Sequence, residues 1–442
     1  MRSFKSVGVL ALLLAALGAY IYFVERKKPA EPEAEARPKV FDVSADAIVE
    51  LMVRSGADRT LLRKADGQWR VVEPVDAKAD EAEVSGVTSA LASLENVRVV
   101  EEAPADLAAF GLANPVAEIG FRTQGEKTMR HLRLGDKTAT QGEMYASRGG
   151  KQVFLVPAYV DTSLARTTFD LRDKSLLSFA RDKVDRLAVE GGTAPKTLVK
   201  SGSDWVLTAP LHAPADYGSA ESLVGRLETG RMSAIVSQDA ADLKRFGLEK
   251  PTLSVTVGTG SSQASLQVGS KADTGAYFAR DASRPLVFTV EAALVDEFQK
   301  PASDLRGKDV FAFRPFNATS LELTRGADVV ALEKAKAKEG GEAWRRVKPT
   351  AADLGQAKVD DVLARLSNLR AEGFEDPGSA AVKALDSPVL VAHARFGEGK
   401  DETVRFARTG GSVYAGVTGQ PGALKVPAGD FDEAVRAIDA LK

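Results

Sequence analysis

The chain has 442 residues, more than one ordinary domain needs, and its 44% hydrophobic and 27% charged residues are those of a folded protein. A formal charge of −2 with no basic stripe excludes the electrostatic footprint of a nucleic-acid binder. The absence of cysteine excludes disulfides, thiol nucleophiles, cysteine-ligated zinc and lipid attachment through cysteine.

The N-terminus carries Arg2 and Lys5, then an uncharged run from Val7 to Val24, closed by "ERKK" at residues 25–28. As a helix the run reaches roughly 27 Å, enough for a bilayer's hydrocarbon core. Cleavage as a signal peptide would use the small pair Ala16 and Gly18 and leave "AYIYFV" apolar and exposed, so an uncleaved anchor is expected. Tyr20 and Tyr22 fit an interfacial belt. Basic residues flank both ends; the short head before the apolar run has the form of an export signal, which puts the bulk outside the cytoplasm. Residues 29–39, "PAEPEAEARPK", read as a stiff charged spacer.

Beyond the spacer the chain repeats itself. Trp69, Trp205 and Trp344 are 136 and 139 residues apart, and each stands five residues before a proline (Pro74, Pro210, Pro349). Val87, Leu223 and Val362 follow eighteen residues after each tryptophan, and Leu91, Leu227 and Leu366 twenty-two after, one helical face in each case. "DLAAFGLANP" begins at Asp106 and "DLKRFGLEKP" at Asp242, both 37 residues past their tryptophan; the third copy has shrunk to "AVKALDSP" at Ala381. Gly135 and Gly269, a tyrosine per repeat (Tyr145, Tyr277, Tyr414), and the joining phrases at Leu171 and Leu305 keep the same register.

Within a repeat, "IVELMVR", "TLLRKA" and "QWRVVEP" predict strands, with Asp66-Gly67 a hairpin turn. Residues 80–97 predict an amphipathic helix burying Val84, Val87, Leu91 and Leu94. Four short strands follow from Val116 to Ala158, then a short helix around Tyr159–Ala165. The ten-residue phrase reads as one capped turn: Asp106 caps it, Leu107 and Phe110 face inward, Gly111 ends it left-handed, and Pro115 stops it resuming. The expected class is α+β: three tandem repeats, each a mainly antiparallel sheet with one longer and one or two short helices, behind a transmembrane helix. The boundaries read as anchor 1–28, spacer 29–39, and repeats 40–178, 179–312 and 313–442, the last divergent.

The W-x-x-x-x-P spacing, the DLxxFGLxxP phrase and the L-x-x-G strand together resemble the bacterial family catalogued as domain of unknown function 4340. The resemblance runs from Val40 to about Val310; the third repeat departs from it by losing Phe and Gly of the phrase. It implies a gene neighbourhood with a gliding-motility-type ABC transport system, and it supplies no catalytic residues.

Chemistry-bearing motifs are sparse. His131, His212 and His393 fall at unlike points of the repeat, which argues against a metal site or catalytic dyad. "GTGSS" (Gly258–Ser262) lacks the Lys-Ser/Thr ending of a phosphate loop, "GVTGQPG" (Gly416–Gly422) reads as a turn, and Asp360 and Asp361 as solvated. "KAKAKEGGE" (Lys334–Glu342) reads as an inserted hairpin loop. No catalytic, cofactor-binding or metal residue is expected, and no cofactor. The expectation is a single-pass protein of the inner (cytoplasmic) membrane with its bulk in the periplasm. Its role would be a non-enzymatic scaffold or accessory subunit whose partners are envelope or transporter proteins, not nucleic acid. The alternative is a carbohydrate-binding module or glycosidase-like enzyme using acidic residues in a groove.

Overall fold

The computed structural model describes residues 37–336 and 342–441, and in addition Ala16, Tyr20 and Tyr22. The expected anchor at Val7–Val24, most of the spacer and the tip of the Lys334–Glu342 loop lie outside the described residues. Among the described residues no helix is long and apolar enough to cross a membrane. The chain divides after Lys174 into two compact units, the first repeat in one and the second and third repeats in the other.

The first repeat begins with strands β1 (Ile48–Ser55), β2 (Asp58–Ala65) and β3 (Gln68–Glu73), an antiparallel meander. Asp66 and Gly67 both take positive φ, 51° and 80°, as a two-residue hairpin of the strands' own twist requires. After the two-residue β4 (Ala77–Lys78) comes helix α1 (Glu81–Ser93). Asp80 starts it by accepting the N–H groups of Ala82 and Glu83, and Val84, Val87 and Leu91 face the sheet. Strand β5 (Arg98–Glu101) precedes the repeated phrase, and β6 (Ala117–Thr123), β7 (Arg130–Lys137), β8 (Glu143–Ser147) and β9 (Val153–Pro157) follow it. Short helices α2 (Val160–Leu164) and α3 (Thr168–Leu171) close the repeat.

The nine strands form one antiparallel sheet in the order β4-β3-β2-β1-β6-β7-β8-β9-β5. One face carries the core: Leu51, Leu62, Val71, Ile119, Phe121, Leu132 and Phe154 pack with the inner faces of α1, α2 and α3. Burying such side chains stabilises by roughly 1.5–3 kcal/mol each, which is ample to hold a sheet this wide against its helices.

The second repeat reproduces this order with β10 (Arg186–Gly191), β11 (Lys196–Ser201), β12 (Asp204–Ala209), β13 (Ala213–Pro214), helix α4 (Tyr217–Thr229) and β14 (Ala234–Ser237). Strands β15 (Leu253–Thr259), β16 (Ser262–Lys271), β17 (Tyr277–Asp281) and β18 (Val287–Val290) and helix α5 (Ala292–Gln299) complete it. The third has β19 (Ala318–Arg325), β20 (Asp328–Lys336), β21 (Glu342–Lys348), β22 (Ala352–Asp353), α6 (Gln356–Ser367) and β23 (Gly373–Glu375). Then come α7 (Ala380–Ala384), β24 (Leu390–Phe396), β25 (Lys400–Thr409), β26 (Ser412–Val417), β27 (Ala423–Val426) and α8 (Ala428–Asp439). All three sheets have the same strand order, so the fold is mainly β within the α+β class.

The tryptophans hold one position. Each is buried in the third strand of its sheet, directly opposite a lysine: Lys64, Lys200 or Lys334. The prolines that follow all have cis peptide bonds. The tyrosine landmark needs correcting. Ala146, Ala279 and Ala415 pair with Leu134, Val268 and Phe406 respectively, so Tyr145 corresponds to Phe278 and Tyr414, and Tyr277 is one residue out of register.

The repeated phrase is a turn laid on the sheet face opposite the core. Asp106 accepts the N–H of Ala108 at 2.8 Å, Gly111 is left-handed with φ 69°, and Leu112 returns its N–H to the Leu107 carbonyl at 3.0 Å. Phe110 packs edge-on to Tyr145, and Phe246 packs on Phe278, each at 5.0 Å. Gly135 and Gly269 lie directly beneath: a Cβ on either would overlap the carbonyl oxygen of Phe110 or Phe246. The strand pairing slips at that point, between Leu134 and Lys137 and again between Val268 and Lys271, and Ser270 gives its N–H to Phe246.

Candidate functional site

The helices cover one face of each sheet. The phrase covers only one end of the other, so the middle of that second face, around the first and sixth strands, carries no helix or turn. In the first repeat it is formed by residues that alternate with the core. Glu50 of β1 lies between Arg63 and Arg122 on the neighbouring strands, and Met52 lies between Leu61 and Gly120. Arg54 is set opposite Glu118 of β6, which in turn faces Arg133 of β7.

The result is two parallel rows, each an arginine, a carboxylate and an arginine, separated by an apolar row. Glu50 pairs with Arg63 at 3.3 Å and with Arg122. Glu118 pairs with Arg54 at 3.8 Å, Arg133 at 3.5 Å and His131 at 3.4 Å. The carboxylates sit beneath, 8% and 15% exposed, while the four arginine side chains are 35–58% exposed. Two buried carboxylates against four outward guanidiniums leave the face with an excess of two cations, and those guanidiniums retain N–H donors suited to carboxylate or phosphate.

The same face has other chemistry elsewhere. In the second repeat it is largely neutral: Thr256 donates to Ser265 at 3.0 Å and Arg280 to Gln267 at 2.7 Å. In the third, Lys348 pairs with Glu322 at 2.9 Å and His393 with Asp401 at 3.5 Å. One architecture thus presents three different surfaces.

The second compact unit also has half-open recesses. One of about 360 Å³ is lined by Lys196, Asp216, Ser219, Ser222, Glu297 and Asp304. Burial pushes the Lys196 amine down to about 8, with Asp304 acting in the opposite sense. Its Nζ donates to the carbonyls of Ala194, Phe298 and Lys300 at 3.0, 2.8 and 2.5 Å, so it caps the last turn of α5 and has no N–H left for a ligand. Asp216, the cap of α4, is held below the usual carboxylate range by the Ser219 backbone N–H it accepts. A second recess, about 340 Å³, lies where residues 307–314 pass from the second repeat to the third. In it Asp309 pairs with Arg314 and Arg370, and Glu402 accepts the N–H groups of Ala312 and Phe313.

His131 lies in β7, His212 is exposed in the loop before β13, and His393 lies in β24. Among the described residues no group of three or more His, Asp or Glu could hold a metal ion. Gly258–Ser262 spans a strand end and the two-residue turn from β15 to β16, and Asp360 and Asp361 are exposed on α6, pairing with Gln356 and Arg365. Sequence reasoning missed the arginine–carboxylate rows. The available signal was Glu50 and Arg54 on one face of an otherwise apolar strand; their partners come from strands 13 to 72 residues away.

The family model described as "Domain of unknown function (DUF4340)" matches residues 69–204 and again 205–388. No curated protein matches. Among solved structures, a DNA polymerase sliding clamp from Pseudomonas aeruginosa with ligand is 9% identical over 88% of this chain and 93% of that one, at a TM-score of 0.16. A second structure of that clamp, 9% identical, covers 86% and 91%, also at 0.16. A putative DNA polymerase III beta subunit from Eubacterium rectale is 7% identical over 88% and 93%, at 0.15. Likeness at such scores carries no argument about this chain.

Proposed function

The chain belongs to the DUF4340 family, and from that premise we propose that it is a membrane-anchored extracytoplasmic scaffold, an accessory subunit of an envelope assembly built around an ABC-type transport system. The observation that carries this reading is the contrast between faces. Three repeats keep one core and one strand order, yet each offers different chemistry on its open face. A set of unlike flat surfaces on a common frame suits the holding of several partners at once. The sequence adds the means of placement: an apolar run long enough to span a bilayer and a charged, proline-containing spacer after it.

Three measurements test it. Alkaline carbonate extraction should leave the full chain in the membrane pellet. A reporter that fluoresces only in the cytoplasm, fused after Lys442, should stay dark; bright cells would reverse the topology. A pull-down from native membranes should recover a transport ATPase or its membrane-spanning partner. Recovery of neither, together with loss of cellular function on a single carboxylate substitution that leaves the fold intact, would overturn the scaffold in favour of an enzyme.

A further inference from the structure

The outer edge of the first repeat's sheet is β5, which pairs with β9 on one side and with no strand on the other among the described residues. Its sequence is Arg-Val-Val-Glu, with Val99 41% and Val100 36% exposed. Neither the Arg98 nor the Glu101 side chain has a hydrogen-bond or ion-pair partner among the described residues. An unpaired edge with exposed valines is a ready template for another strand.

We propose that this edge joins the same edge of a second copy of the chain, so that two first repeats share one continuous antiparallel sheet. The sequence is self-complementary in that arrangement. Two antiparallel copies related by a two-fold axis set Arg98 against Glu101 of the other copy, twice, and Val99 against Val100. Such an axis runs perpendicular to the sheet and keeps faces together, so the paired residues must lie on one face. In a regular strand, positions three apart do not. Here they do, because the β5–β9 pairing slips at Val100: Arg98 is opposite Leu155 and Glu101 opposite Val153, two residues of the same face of β9. The bulge therefore makes the charge pairing possible.

The competing occupant is the chain's own spacer. Lys39 is bridged to Glu95, and Asn96 donates to the Pro38 carbonyl at 2.8 Å, which begins an antiparallel ladder just before β5. Carried on in register, that ladder would set Glu33 opposite Glu101, like against like, with nothing to answer Arg98. Charge favours the second copy. The contact is short and its intrinsic affinity accordingly low, but confinement of both copies to one membrane raises their effective concentration.

The test uses the full chain in detergent, by sedimentation over a concentration series, with Arg98→Glu, Glu101→Arg and the double exchange. Wild type should self-associate, and each single reversal should weaken association roughly tenfold by opposing two like-charge pairs. The double exchange should restore it, as should a mixture of the two single variants. A wild type that stays monomeric at every concentration overturns the proposal, as does association indifferent to the reversals or not rescued by the double exchange. Association that appears only when residues 29–36 are deleted assigns the edge to the spacer instead. Because the chain has no cysteine, Arg98→Cys with Glu101→Cys gives a second readout: oxidation in membranes should yield a covalent dimer, and a ladder free of dimer counts against the shared sheet.

Discussion

The second and third repeats fold alike and differ most where the ten-residue phrase stands. In the second, Phe246 and Gly247 lie over Gly269, and the ladder beneath is bulged. In the third, the place is taken by α7, started by the Ser379 side chain, and the residue beneath is Ala407. The β25–β26 ladder runs there without a slip. Turn, glycine and bulge are therefore one device: the backbone of the turn approaches so closely that the strand can carry no side chain, and the bulge frees an N–H for the turn's carbonyl. When the turn is replaced by a helix of small residues, the glycine and the bulge go together.

That comparison breaks most visibly at the glycine. Gly269→Val would drive a branched side chain into the Phe246 carbonyl, with backbone on both sides unable to yield, and should cost ~3 kcal/mol or more. Ala407→Gly, the reverse exchange in the third repeat, should cost only about 1 kcal/mol. Denaturation followed by tryptophan fluorescence reads both, since Trp205 and Trp344 report on their own repeats. A mild Gly269→Val would mean that the turn does not bear on the strand.

A second contrast lies on the core side. Leu62, Leu198 and Leu332 pair with Leu51, Leu187 and Leu321, which makes Thr60, Lys196 and Val330 equivalent, all buried. Thr60 bonds to Thr168 at 2.8 Å, and Lys196 supplies three carbonyls. Lys196→Met keeps the length and removes the donors, so it should cost about 2–3 kcal/mol from carbonyls left bare at the end of α5. Val330→Met leaves no such group bare and should change stability by less than about 1.5 kcal/mol. Equal losses at the two positions would show packing, not capping, to be the role of Lys196.

Gly111→Val comes next, at roughly 1–2 kcal/mol, from the left-handed backbone and from Asp136 against the new side chain. An unchanged melting curve would show that the phrase can end without its left-handed residue.

How much of this was legible in the sequence follows from the range of each interaction. The hairpin at Asp66-Gly67, the helix behind Asp80 and the left-handed Gly111 are settled by neighbours within a few residues, and each was readable. The sheet order was not. The step from β1 to β6 joins residues about seventy apart, and two-residue β4 and four-residue β5 are strands only because a partner lies beside them. The role of Gly135 needs a contact from Phe110, 25 residues earlier, so the sequence showed the glycine as a landmark without its reason. Tyr277 misled because the turn between β16 and β17 is one residue shorter than that between β7 and β8: Lys137 pairs with Met144, seven residues on, but Lys271 pairs with Tyr277, six on, a shift visible only once the strands are paired. The arginine–carboxylate rows stayed hidden for the same cause: each row is assembled across strands.

The smallest predicted effect concerns the start of the long helix. Asp80 caps α1 and Asp216 caps α4, but α6 begins at Gly355, which has no side chain to offer. Its backbone, φ −61° and ψ 125°, is already that of the two aspartates, and a Cβ there would meet nothing within 4 Å. Gly355→Asp should therefore stabilise the third repeat by about 0.3–0.5 kcal/mol at neutral pH. Two causes could produce such a gain, and acid separates them. The Asp216 carboxyl is held below its ordinary range by the Ser219 N–H, and a carboxylate capping α6 would be held down in the same way. A folded-state value below the unfolded one gives stability that is present above the unfolded pKa, near 4, and is lost as pH falls through the folded value. The reduced freedom of the unfolded chain when glycine is replaced does not depend on pH. A gain seen at pH 7 that disappears near pH 3 identifies the cap; a gain that persists in acid identifies the glycine.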